Sequence, residues 1–118
     1  MIWNGNGGRT YFYQSEMPYD PPNQAAFMNG SSPGWASYKV ANTVTSHQAF
    51  GLGIYCFFQA NPSNQAAHAI ETPTGAGIGF HDMVTVSLGG TGTIQHIINN
   101  NGGTVNSGTT VQDLTTGP

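Results

Sequence analysis

The 118-residue sequence predicts an all-β fold, and three observations carry that prediction. Glycine (17) and proline (7) interrupt nearly every stretch long enough for a helix, and the apolar runs are dominated by β-branched and aromatic residues. The clearest of those runs alternate in polarity with a period of two. Strands that follow one another without intervening helices can close as an antiparallel β-sandwich or coil as a parallel β-helix in which each turn of chain is one rung. The pattern leaves both open. The length is that of one small domain, so 1–118 reads as a single all-β unit.

The first strand falls at Thr10 to Ser15 (TYFYQS), after a Gly/Asn turn at Asn4 to Gly8. Met17 to Pro22 (MPYDPP) carries three prolines, which cannot donate to a ladder, and predicts an irregular crossing segment. Asn23 to Met28 fits one helical turn capped by Asn23 and stopped at Asn29-Gly30. Trp35 to Val40 reads as a short strand. Ala49 to Gln59 (AFGLGIYCFFQ) is the longest apolar run and reads as the core strand. Beyond the Asn61-Pro62 turn come Ala67 to Glu71, Ile78 to Leu88, Gly92 to Asn99 and a weaker Thr109 to Leu114. Within Phe80 to Leu88, strict alternation places Phe80, Asp82, Val84, Val86 and Leu88 on one face and His81, Met83, Thr85 and Ser87 on the other. Asn99 to Gly103 is a turn that also suits the amide ladders of stacked rungs, although no internal sequence repeat accompanies it.

Charge narrows the function classes. Only 6% of residues are charged, against about 25% in ordinary globular chains, and the cations are Arg9 and Lys39 alone. Two cations cannot neutralise a run of phosphates, so neither nucleic acid nor an anionic membrane surface is expected as partner. No run approaches the ~18 apolar residues of a membrane-spanning helix. MIWNGNGGRT also lacks the basic-then-apolar pattern of an export signal. Solubility resting on uncharged hydrogen-bonding groups is common in extracellular, carbohydrate-facing β proteins, so a secreted location and a polysaccharide partner are the expectation.

Cys56, the single cysteine, excludes an internal disulfide and a multi-cysteine zinc site. Set in IYCFF, it reads as a buried, inert thiol. The histidines His47, His68, His81 and His96 stand 13 or more positions apart, without metal-ligand spacing, so no metal is expected despite the suggestive His81-Asp82 pair. With no P-loop, dinucleotide fingerprint or nucleophile elbow, no cofactor is expected either.

The distinctive stretch is Tyr11 to Pro22, YFYQSEMPYDPP, which sets Glu16 and Asp20 in an aromatic, proline-stiffened segment. Paired carboxylates are what glycoside hydrolysis uses: one protonates the leaving oxygen while the other attacks or activates water. Four residues of extended, kinked chain can span the ~5 to 9 Å that the two known geometries need. The plainer alternative pairs Glu16 with Arg9 or Lys39 and leaves Asp20 capping the turn at Pro21-Pro22. Trp3, Tyr13, Tyr19, Trp35 and Tyr38 are the candidates for stacking on sugar rings, Tyr19 and Trp35 with the better claim because they lie in Gly- and Pro-rich connections.

YFYQSEMPYDPPNQAAFMNG, then WASYKVANTVTSHQAFGLGIYCFF, then FHDMVTVSLGGTGTIQHIINNNGG resemble, in motif order, the C-terminal part of large secreted polysaccharide hydrolases with a pectate-lyase-like right-handed parallel β-helix. These often carry a discoidin-type (coagulation factor 5/8) domain, and some are near the α-1,3-glucanase and mycodextranase type. The resemblance implies that the chain supplies the C-terminal rungs of such a β-helix, a fragment inactive on its own, with upstream rungs of the same parent as neighbours and Glu16 and Asp20 at the end of the groove. Two other readings remain open: a noncatalytic carbohydrate-binding module, and a structural or adhesive cell-surface β protein.

Overall fold

The ten strands are β1 (Ile2–Trp3), β2 (Gly8–Glu16), β3 (Met28–Asn29), β4 (Ser32–Pro33), β5 (Tyr38–Val40), β6 (His47–Cys56), β7 (Gln65–Glu71), β8 (Ile78–Ser87), β9 (Thr93–Ile98) and β10 (Val111–Gly117). They come from a computed structural model that describes residues Met1–Pro118. Apart from the small β3–β4 hairpin, successive strands alternate between two four-stranded sheets, ordered β1-β5-β7-β9 and β2-β6-β8-β10. Every pair in the first sheet is parallel, as are β2–β6 and β6–β8 in the second. Only β10 runs antiparallel to β8. The all-β expectation therefore holds, with mixed pairing in place of the fully antiparallel sandwich. Parallel neighbours need a crossover between them, and here the crossover is the strand in the opposite sheet.

Stacking turn upon turn aligns side chains of one kind. Thr10, Ala49 and Phe80 share one register level facing inward, and Tyr13, Leu52 and Met83 share another. Between these levels lie Phe12 (φ 59°), Gly51 (φ 69°) and Asp82 (φ 55°), three left-handed residues on three adjacent strands. Each adds one out-of-phase residue, so the inward face switches parity there. This corrects the alternation expected for Phe80 to Leu88. Phe80 points inward, but beyond Asp82 the buried residues are Met83, Thr85 and Ser87, while Asp82 is exposed.

The core between the sheets is built on Tyr38, Leu52, Ile54, Phe58, Ile70, Phe80, Ile94, Ile97 and Ile98, all nearly inaccessible. β6 stops at Cys56, short of the expected Gln59, because the chain turns there and Phe58 N–H bonds the Thr91 carbonyl. The expected strand from Trp35 contracts to Tyr38–Val40, and β1, too short to show periodicity, was not legible in the sequence. Asn23 does cap a single 3-10 turn at Gln24–Ala26, its side chain accepting from Ala26 N–H at 3.0 Å. Asn99, left-handed at φ 49°, closes the corner after β9: its side-chain oxygen accepts from Thr72 N–H and its amide donates to the Thr72 carbonyl, both at 3.0 Å.

Candidate functional site

Glu16 ends β2 with its side chain on the outer, solvent-facing side of the second sheet, level with Tyr55 of β6. Chain exit from the strand is set by Met17, which is buried and donates its N–H to the Tyr55 carbonyl at 2.8 Å. After Pro18 the chain carries Tyr19 back toward the strand end, where its hydroxyl donates a hydrogen bond to Glu16 Oε2. That bond and the nearby carboxylate charge raise the Tyr19 phenol above its ordinary value of 10.0, so it stays a donor at neutral pH.

Tyr19 is itself held from two sides. Its ring meets Phe57 edge-on at 5.6 Å, and its carbonyl accepts from Ala60 N–H at 3.2 Å. Next along the chain, the Pro21 and Pro22 carbonyls accept from Asn64 Nδ2 (2.7 Å) and Asn61 Nδ2 (3.3 Å). The proline-stiffened segment is thus pinned to the β6–β7 corner by asparagines some forty positions away in sequence, an arrangement no local pattern reveals.

The structure joins Glu16 with Tyr19 but does not hydrogen-bond Glu16 to Asp20, which is exposed beside Pro21. Neither cation reaches Glu16: Lys39 Nζ is bonded to Glu71 at 2.6 Å, and Arg9 points outward from β2. Tyr13 is turned against the core, edge-on to Tyr38 at 5.0 Å, with its hydroxyl donating to the Ser37 carbonyl. Trp35 lies on the link between β4 and β5 and is 55% exposed. No group of three His, Cys, Asp or Glu side chains converges as a metal-binding set. His47 is buried on Tyr38, His81 stacks on Phe50 at 4.7 Å, and His68 stacks on His96.

Sequence reasoning missed the middle of this face. Gly51 and Gly53 place no side chain of their own on the outer face of β6, between Phe12 and Gln14 of β2 and Asp82 and Val84 of β8, and a trough of about 200 Å³ lies there. It adjoins a second hollow of about 250 Å³ lined by Asp82, Val84, Asp113 and Thr115. The missing signal is the left-handed bend, which turns Asp82 outward; aspartate and glycine tolerate that conformation, and no spacing rule announces it.

No family model matches this chain. It is 45% identical over 109 residues to an exo-beta-1,3-glucanase of Streptomyces sp. (strain SirexAA-E / ActE), a match that covers 92% of this chain and 18% of that protein. The solved structure of sacteLam55A from Streptomyces sp. SirexAA-E superposes with a TM-score of 0.95 at 42% identity, covering 99% of this chain and 22% of the other. The chain shares the fold of that segment. A variant of sacteLam55A in complex with glucose matches equally, at 41% identity and TM-score 0.95. This chain therefore spans about a fifth of the length of the relatives it matches. The linkage in the relative's name is β-1,3, where the sequence resemblance leaned toward α-1,3-glucanases.

Proposed function

We propose that this chain is the C-terminal portion of a secreted β-1,3-glucan hydrolase, its alternating strands forming the closing coils of a right-handed parallel β-helix that earlier rungs of the same parent extend. The observation that carries the reading is the likeness to the Streptomyces exo-beta-1,3-glucanase along almost the whole of this chain, with near-superposition of the backbone. The strand order, in which each turn stacks on the last, supports the coil.

Glu16 is the proposed general acid. Its carboxyl delivers a proton to the glycosidic oxygen as the bond to the anomeric carbon breaks, and the carboxylate left behind is stabilised by the hydrogen bond from Tyr19. Asp20 is the proposed second carboxylate, activating water or attacking from the other side. Tyr19 and Trp35 are the proposed sugar-stacking rings on exposed connections, and Tyr13 supports Tyr38 beneath the same strand. With about four-fifths of the relative's length outside this chain, the isolated polypeptide is expected to turn over no glucan.

A graft tests this. The corresponding segment of the Streptomyces glucanase is replaced by this chain, and glucose release from a soluble β-1,3-glucan is measured. The expected result is turnover that Glu16→Gln lowers by about a thousandfold while KM stays near its starting value. Unchanged turnover in Glu16→Gln would remove Glu16 from the chemistry.

A further inference from the structure

We propose that the trough over Gly51 and Gly53 is a binding subsite for one pyranose ring of a neutral β-glucan, with Tyr55 as its stacking platform. The inference rests on the reading that the Glu16 face meets glucan, and it identifies a part of that face which the carboxylates and exposed connections leave undescribed.

The geometry begins with Gly53. A Cβ built there would lie 2.7 Å from the Tyr55 hydroxyl oxygen and 3.2 Å from the ring carbon that bears it. The Tyr55 side chain therefore leans back along its own strand, its hydroxyl end over the glycine backbone, instead of standing away from the sheet. Any side chain at 53 would lift it. Flat aromatic faces take the apolar face of a pyranose, whose axial hydrogens pack on the ring while its hydroxyls reach sideways.

The same trough is lined by groups that such hydroxyls need. The Gln14 amide on β2 offers a donor and an acceptor, and the exposed Asp82 carboxylate on β8 offers acceptors. Asp82 and Val84 also line the adjoining hollow, which extends to Asp113 and Thr115, so a second sugar has room beside the first. Glu16 shares its register level with Tyr55, one strand away on the same face.

Charge selects the ligand class. Neither hollow is lined by a cation, Lys39 is committed to Glu71, and Asp82 and Asp113 would repel a polyanion. A neutral glucan fits this surface, and a uronic-acid polymer does not.

The test titrates the 118-residue chain with a β-1,3-linked glucotetraose and, separately, with tetragalacturonate, following amide resonances by NMR. The glucan oligosaccharide is expected to shift amides of β6 and β8, and the uronate to leave them in place. Tyr55→Ala and Gly53→Leu, each checked by its spectrum for retention of fold, weaken glucan affinity about tenfold, whereas Tyr55→Phe stays within about twofold. Equal binding by Tyr55→Ala, equal binding of the uronate, or no glucan binding at all overturns the subsite. If the graft hydrolyses glucan while Tyr55→Ala binds normally, the subsite fails and the hydrolase reading stands. If the chain binds through Tyr55 while the graft hydrolyses nothing, the reverse holds.

Discussion

The Tyr38 hydroxyl lies 2.7 Å from His47 Nε2 inside the core, where Thr10 Oγ1 completes the chain at 2.6 Å from the same phenol oxygen. Trp3, Tyr38 and Phe80 surround the imidazole with ring centroids at 5.0 to 5.9 Å, and its Nδ1 has no partner. Burial holds the His47 pKa below its ordinary 6.5. A neutral His47 shares one hydrogen bond with Tyr38 through Nε2, whereas a protonated ring can only donate in it and would bring its charge among these rings.

Stability should consequently depend on His47 in mildly acidic solution. The folded state resists protonation where the unfolded chain accepts it, so the contribution is complete above pH 6.5 and is lost as the pH falls from there toward the lower folded value. The slope from this one group is at most about 1.4 kcal/mol per pH unit. Urea midpoints measured at intervals below neutrality should fall with pH in the wild type. His47→Phe should remove that part of the slope, and an unchanged slope would show that other groups carry it.

The row of left-handed residues at Phe12, Gly51 and Asp82 makes a second prediction. A Cβ at Gly51 would meet nothing nearer than 3.9 Å, so a substitution there is penalised by backbone conformation and not by crowding. Gly51→Ala should cost about 1 kcal/mol and Gly51→Val about 2 kcal/mol, whereas Asp82→Asn, a residue that tolerates this conformation, should cost little. Chemical denaturation of the three variants checks the order.

Cys56 is buried, and burial pushes its thiol up to about 11. In the folded chain at about pH 8 it should stay unreacted with a disulfide reagent over hours, then react completely once guanidinium is added. Rapid labelling of the folded chain would mean that the β6 end opens readily.

Tyr19→Phe removes the donor from Glu16 and keeps the ring on Phe57. In the grafted glucanase this should slow glucan hydrolysis by about tenfold or more with little change in KM, the scale of a hydrogen bond to a charged group. A loss confined to KM would instead assign Tyr19 to binding the sugar.

Much of the fold was legible in the residues, because alternation and turn chemistry are local. The all-β class, the Asn23-capped turn, the burial of Cys56 and the approximate places of β2, β6, β8 and β9 follow from patterns a few residues long. The candidate site was legible by half. YFYQSEMPYDPP drew attention to Glu16 and Tyr19 because a carboxylate in a stiff aromatic segment is chemically unusual, but nothing local indicated that Tyr19 folds back onto Glu16 or that Asn61 and Asn64 pin the prolines.

What the residues determined alone is a chain with little charge, dominated by strands, too poor in cations to neutralise a run of phosphates and rich in hydroxyls and amides. Only the tertiary structure decided that β2, β6 and β8 stack in register. That stacking puts Tyr55 level with Glu16, opens the Gly53 trough, and reverses the face of β8 at Asp82. The reason is physical: pairing between successive turns brings together residues thirty to forty positions apart, and a single left-handed residue inverts every side chain after it, so neither neighbourhood nor direction can be read from spacing along the chain.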